Sequence, residues 1–297
     1  MIYASPLSSS RPFFLFRFGP VRSRAFQALL RHIVAISLLV VMLYPIAWLF
    51  VASLHTGESA ALMGVGLNLT HLSLSNYWSG LTGPLDFSRL FLNSLLVAIL
   101  EVIGALFSCT LAAYAFARLN FPMKRLLFSV LIAALLIPGQ VLIVPQFILF
   151  YNLHVVGTYI PLILPHYLGI DAFFIFLEVQ FIRTLPRELD DAARIDGCNH
   201  LAFLLRVVVP LSLPALATVA MFMFINSWND LLGPLLYLSN PHLYTVPLGL
   251  SEFIDNTGQS SYGGLYAMSF LSLVPVAAFF LAGQRFLVQG IATTGLK

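Results

Sequence analysis

Glu188-Leu-Asp-Asp-Ala-Ala-Arg-Ile-Asp-Gly-Cys-Asn-His200, followed closely by Val207-Val-Val-Pro-Leu-Ser-Leu-Pro214, is a charged island between apolar runs. Each flanking run is long enough to cross a bilayer, since roughly 20 helical residues at about 1.5 Å per residue span a hydrocarbon core of about 30 Å. Unpaired backbone groups cost several kcal/mol each in hydrocarbon, so the runs read as helices rather than strands. The island then reads as a water-exposed loop, about residues 183–206, carried by a membrane domain.

Working outward, six nearly uncharged runs qualify as spans: about 33–54, 90–117, 126–150, 158–182, 207–232 and 265–287. The expectation is an all-α polytopic protein with six transmembrane helices occupying residues 33–289, between a tail at 1–32 and a short tail at 290–297. Pro45, Pro138, Pro165 and Pro275 fall inside the runs and predict kinks or local unwinding, because each removes one helical hydrogen bond.

Composition agrees with a membrane domain. Of the 297 residues 59% are apolar and only 9% charged, with mean hydropathy +0.91, whereas an ordinary soluble domain is about a quarter charged. A formal charge of +3 spread along the chain does not fit a nucleic-acid binder. Cys109 lies in an apolar run and Cys198 in the island, so neither a disulfide nor a metal framework is indicated.

Fourteen of the 15 Lys and Arg residues fall on one side of the six spans; Arg89 alone falls on the other. The positive-inside rule therefore puts both termini and the island in the cytoplasm. The first 32 residues are Arg- and Ser-rich and free of acid, a composition shared by targeting peptides and by cytoplasmic tails that fix topology. The following run is long for a signal-peptide core, so the segment is read as a retained tail.

Within the island, Ala192, Ala193 and Ile195 suit a short helix with one small, closely packable side, and Gly197 permits the positive φ that ends such a helix. A short helix of this kind fits a groove on a partner protein. Spacing alone fits a solvated loop equally well.

Further motifs narrow the choice. They are Phe91-Leu-Asn-Ser94, Ala112-Ala-Tyr-Ala-Phe-Ala-Arg118, Leu136-Ile-Pro-Gly-Gln140 with Val144-Pro145, and Ser227-Trp-Asn-Asp230 with Pro234. Thr245-Val-Pro-Leu-Gly249 and Gln284-Arg-Phe-Leu-Val-Gln-Gly290, with Gly295 and Lys297, complete the set. Together with the island they resemble the permease subunits of binding-protein-dependent, ATP-driven (ABC) sugar importers, from about residue 89 to the end. The likeness is greatest to the shorter, six-span partner of maltose-type permease pairs. Asp191 stands where that family usually has Glu, and Glu178 and Asp171 also depart from its usual pattern.

The resemblance implies an ABC importer type I permease fold in a bacterial inner membrane. It implies a second permease subunit, two ATP-binding cassette subunits and an extracytoplasmic solute-binding protein as partners, within a lipid bilayer and with no nucleic acid. Glu188, Asp191, Ala192, Ala193, Asp196 and Gly197 would form the ATPase-coupling loop, and Gly290, Gly295 and Lys297 a tail contact. No phosphate-binding Gly-x-x-x-x-Gly-Lys motif is present, so ATP and Mg would sit on the partner ATPase and this chain would bind no cofactor and be no enzyme.

Charges inside a membrane are costly and commonly face protein or water. Glu101 and Asp171 are therefore candidate solute-pathway residues, or structural pairs with neighbouring helices. Asn226, Trp228, Asn229 and Asp230 combine an aromatic face with hydrogen-bonding groups that suit sugar; an interfacial anchor and a helix cap account for them equally well. An alternative reading of the whole chain is a secondary transporter that uses Glu101 and Asp171 as ion-coupling carboxylates. It leaves the island without a role.

Overall fold

The computed structural model describes residues 20–56, 66, 70, 72–83, 86–252 and 262–294, with backbone alone for 20–25 and 286–294. Every element among them is helical. The chain divides into two units, Met1–Trp48 and Leu49–Lys297.

The first unit holds most of helix α1, Pro20–Ser53. This helix begins well before the expected boundary at residue 33, because Val21 to His32 contains no breaker and is rich in good helix formers, and Pro20 suits a first helical turn. Residues 1–19 of the anticipated tail lie outside the described residues. Phe26, Leu30, Val34, Leu38 and Val41 are all exposed, as suits a helix in lipid.

In the second unit the end of α1 meets α2, Ser75–Thr82: Asn76 donates to the Ser53 and His55 carbonyls at 2.8 and 2.7 Å. The central element is α3, Phe87–Arg118, begun by Asp86, whose carboxylate accepts from the Arg89 N–H. It packs against α6 (Ile160–Tyr167), α7 (Ala172–Thr184), α11 (Leu213–Trp228) and α13 (Val246–Glu252). Gly104 lets α6 approach closely, since a Cβ there would lie 2.4 Å from the Tyr167 ring.

Among the described residues, four helical segments are long and apolar enough to cross a membrane: Phe26–Ser53, Phe87–Arg118, Ile160–Thr184 and Tyr262–Arg285. Two bent pairs raise the number to six if each is one span. The first is α4, Lys124–Ala134, with the 3₁₀ turn Gly139–Leu142 and α5, Ile143–Asn152, turned through 98°. Pro138 sits at that turn and biases its predecessor away from helix.

The second pair bends by 79° between His200–Leu211 and α11. It runs from α9, His200–Phe203, through a π turn at Leu204–Val208 into α10, Val209–Leu211. Pro210 and Pro214 flank the bend and each lacks a backbone donor. The apolar run expected as a span at 207–232 thus contains a 79° bend, and its helical part begins earlier, at His200. Pro45 and Pro275, by contrast, lie in helices that continue through them, α1 and α14 (Tyr262–Thr294).

Between α11 and α14 come α12, Leu232–Tyr237, a 3₁₀ turn at Pro241–Leu243, and α13. The Asn-Ser pair of the second run anchors this segment. Asn93 donates to the His242 and Tyr244 carbonyls at 2.9 and 3.0 Å, and Ser94 accepts from the Val246 N–H at 2.7 Å. Arg89 also contacts His242.

Candidate functional site

The island folds as α8, Glu188–Ile195. Glu188, Asp190 and Asp191 occupy its first turn and Arg194 its last, the arrangement that complements a helix dipole. It ends as the sequence anticipates. Gly197 has φ +73°, its N–H bonds to the Arg194 carbonyl at 3.1 Å, and the Cys198 N–H reaches back to Ala193 at 2.9 Å, the paired bonds of a Schellman cap.

The two alanines divide between faces. Ala193 is only 9% exposed and packs in the interior beside Leu189, one turn earlier. Glu188, Asp191, Ala192, Asp196 and Gly197 are exposed, and so is Ile195, at 87%. Ile195 is absent from the expected coupling set, although the spacing 188, 192, 195 already puts it opposite the 189, 193 stripe.

A second constellation lies inside the helices. Glu101, on α3, is 6% exposed, and its Oε2 is 3.8 Å from His166 Nε2 on α6. The other ring nitrogen, Nδ1, is 2.8 Å from Asp171 Oδ2. Gly169, in the short break between α6 and α7, takes φ +72°, while the two helices continue as one segment, Ile160–Thr184. Ser108 donates to the His166 carbonyl at 2.6 Å and fixes the turn to α3. Asp230, just past α11, interacts electrostatically with both Glu101 and His166, and its Oδ1 accepts from the Gly233 N–H at 3.2 Å.

Glu101, Asp171 and Asp230, distant in sequence, are thereby brought to one locus. His166 links the first two and was not among the expected residues; its signal was its place five residues before Asp171, astride Gly169. Three carboxyl groups and one imidazole thus lie close together between the helices.

Trp228 is packed in the core. It is 2% exposed, donates to the Ser272 carbonyl at 3.1 Å, stacks on Phe224 and meets Phe91 edge-on. Its ring is built into the core and its one donor is taken. Asn226 and Asn229 are exposed, with Asn229 donating to the Ile225 carbonyl at 2.7 Å. Gly290 lies in the backbone of α14, which runs through Thr294 where a tail was expected from 290; Gly295 and Lys297 lie outside the described residues.

A family described as "Binding-protein-dependent transport system inner membrane component" matches residues 104–293. The arabinooligosaccharides transport system permease protein AraQ of Bacillus subtilis (strain 168) is 32% identical over 259 residues, covering 86% of this chain and 90% of that protein. The sulfoquinovosyl glycerol transport system permease protein SmoH of Agrobacterium fabrum is 34% identical over 270 residues, 90% of this chain and 93% of that one. The sn-glycerol-3-phosphate transport system permease protein UgpE of Escherichia coli O157:H7 is 32% identical over 279 residues, 91% and 98%. Among solved structures, a chain of a bacterial ABC transporter involved in the import of the acidic polysaccharide alginate superposes with a TM-score of 0.78 at 21% identity, covering 93% of this chain and all of that one.

Proposed function

The chain belongs to the family of binding-protein-dependent transport system inner membrane components, and from that premise we propose that it forms half of the translocation pathway of an ATP-driven importer for a sugar or related polyol. The observation that carries the reading is α8. It is a capped helix whose exposed face joins two acids, a small alanine and a bare isoleucine, and whose other face is packed on membrane helices.

In this reading Glu188, Asp191, Ala192, Ile195, Asp196 and Gly197 engage an ATP-binding cassette subunit. That subunit binds ATP and Mg and performs the hydrolysis. A second permease subunit completes the pathway, and an extracytoplasmic binding protein delivers solute to the face opposite α8. Both termini and α8 are cytoplasmic, by the distribution of Lys and Arg. Closure of the ATPase dimer around nucleotide draws the docked helices together and so shifts the balance between membrane states open to opposite sides.

The relatives' names share a sugar or glycerol moiety, which supports a polyhydroxylated solute. Glu101, Asp171 and Asp230, with His166, offer it acceptors, and Asn226 and Asn229 offer amides. The test is to co-express the chain with its ATPase, partner permease and binding protein. ATP hydrolysis by the purified complex is expected to rise when solute-loaded binding protein is added. Hydrolysis indifferent to loaded binding protein, or an ATPase that does not co-purify, would overturn the reading.

A further inference from the structure

Arg118 ends α3, and its side chain is only 5% exposed. Nη1 donates to Asp190 Oδ2 on the first turn of α8 at 2.7 Å. Nη2 donates to the carbonyls of Ile182 and Leu185, at the end of α7, at 3.0 and 2.8 Å. One planar guanidinium therefore ties three elements, spanning the short linker between α7 and α8.

One turn earlier on α3, Tyr114 meets His200 Nδ1 at 3.2 Å, at the start of α9. The same face of α3 thus holds the chain on both sides of α8. Between the two ties lies a cavity of about 230 Å³, lined by Tyr114, Arg118, Asp190, Arg194, Asn199 and His200. Leu119, Ala193 and Phe203 give it an apolar side. The polar ties add directional contacts to the apolar packing of Leu189 and Ala193.

We infer that Arg118 is the positioning residue that makes α8 and α3 move as one body, so that displacement of the docked helix reaches the membrane domain. This inference rests on the coupling role proposed for α8. The chemistry favours arginine specifically: its rigid fork serves a carboxylate and two carbonyls at once, whereas a lysine ammonium is a compact point charge on a flexible stem.

The experiment uses the full complex in proteoliposomes and reads two quantities, ATPase co-purification and solute taken up per ATP hydrolysed. Arg118→Met, which keeps the apolar stem, and Arg118→Lys should both retain the ATPase. Uptake per ATP should fall about tenfold, within the usual range for a coupling free energy. Adding Asp190→Asn to Arg118→Met should cost little more than either change alone, because both act on one tie.

In a chain with Cys109 and Cys198 replaced by Ser, Arg118→Cys with Asp190→Cys should regain coupling when a bifunctional thiol reagent bridges the pair. Full coupling in Arg118→Met would overturn this inference alone, as would a bridged pair that stays uncoupled. Failure of the unaltered chain to hold the ATPase would overturn the coupling reading and this inference with it.

Discussion

His166 and Asp171 close the break between α6 and α7: the imidazole Nδ1 lies 2.8 Å from Oδ2, while the opposite ring nitrogen faces Glu101 on α3. One side chain thus joins the two halves of a broken span to the central helix. His166→Ala should leave partly buried carboxyl groups without that partner, at a cost of about 1–3 kcal/mol. Lower thermal stability of the purified protein and reduced uptake are expected together. Adding Glu101→Gln should recover part of the stability by removing one of the facing carboxylates. Additive losses in the double variant would show that the residues do not act as a cluster.

Trp228 makes a contrasting prediction. Trp228→Ala should destabilise the domain by about 3–5 kcal/mol, as loss of a core aromatic does. Trp228→Phe keeps the stack on Phe224 and gives up only the bond to the Ser272 carbonyl, worth about 1 kcal/mol. Solute preference across a sugar and polyol panel should be unchanged in the Phe variant. A changed preference with unchanged melting temperature would return Trp228 to the solute pathway.

The cap of α8 can be tested through backbone conformation alone. A Cβ at Gly197 would meet nothing within 4 Å, so substitution there probes the positive φ and not crowding. Gly197→Val should strain the turn by about 1–3 kcal/mol and tilt α8 away from its partner, while Gly197→Asn, which tolerates that conformation, should couple nearly normally. Ile195→Asp should weaken ATPase binding with no change in melting temperature, because the side chain is 87% exposed. Equal co-purification of the ATPase by wild type, Gly197→Val and Ile195→Asp would remove α8 as the docking element.

Orientation is read by single cysteines placed in a chain lacking Cys109 and Cys198. A membrane-impermeant thiol reagent on intact cells should label a cysteine at Asp86 or Asn240, and label one at Arg194 only after permeabilisation. Labelling at Arg194 from outside would invert the topology.

The sequence made the apolar runs, the capped island helix and the positive φ of Gly197 legible, because each follows from local chemistry: run length, helix propensity and the missing Cβ. The 79° bend around Ser212 was harder to read. Hydropathy reports that residues 207–232 are apolar, not that their helix changes direction, although Pro210 and Pro214 marked the place. Facing was harder still. Whether Trp228 lines a pathway or fills a core depends on Phe91, Phe224 and Ser272, which other parts of the chain supply. His166 escaped notice because a lone histidine carries no pattern until the break at Gly169 sets Asp171 against it and α3 brings Glu101 alongside.

The most direct measurement is uptake into proteoliposomes containing this chain, its partner permease and the ATPase, with solute-loaded binding protein on the side opposite α8. Accumulation that requires ATP on the α8 side, requires the binding protein and is abolished by Gly197→Val is the expected result. Accumulation driven by an ion gradient without ATP, and lost in Glu101→Gln or Asp171→Asn, would contradict it.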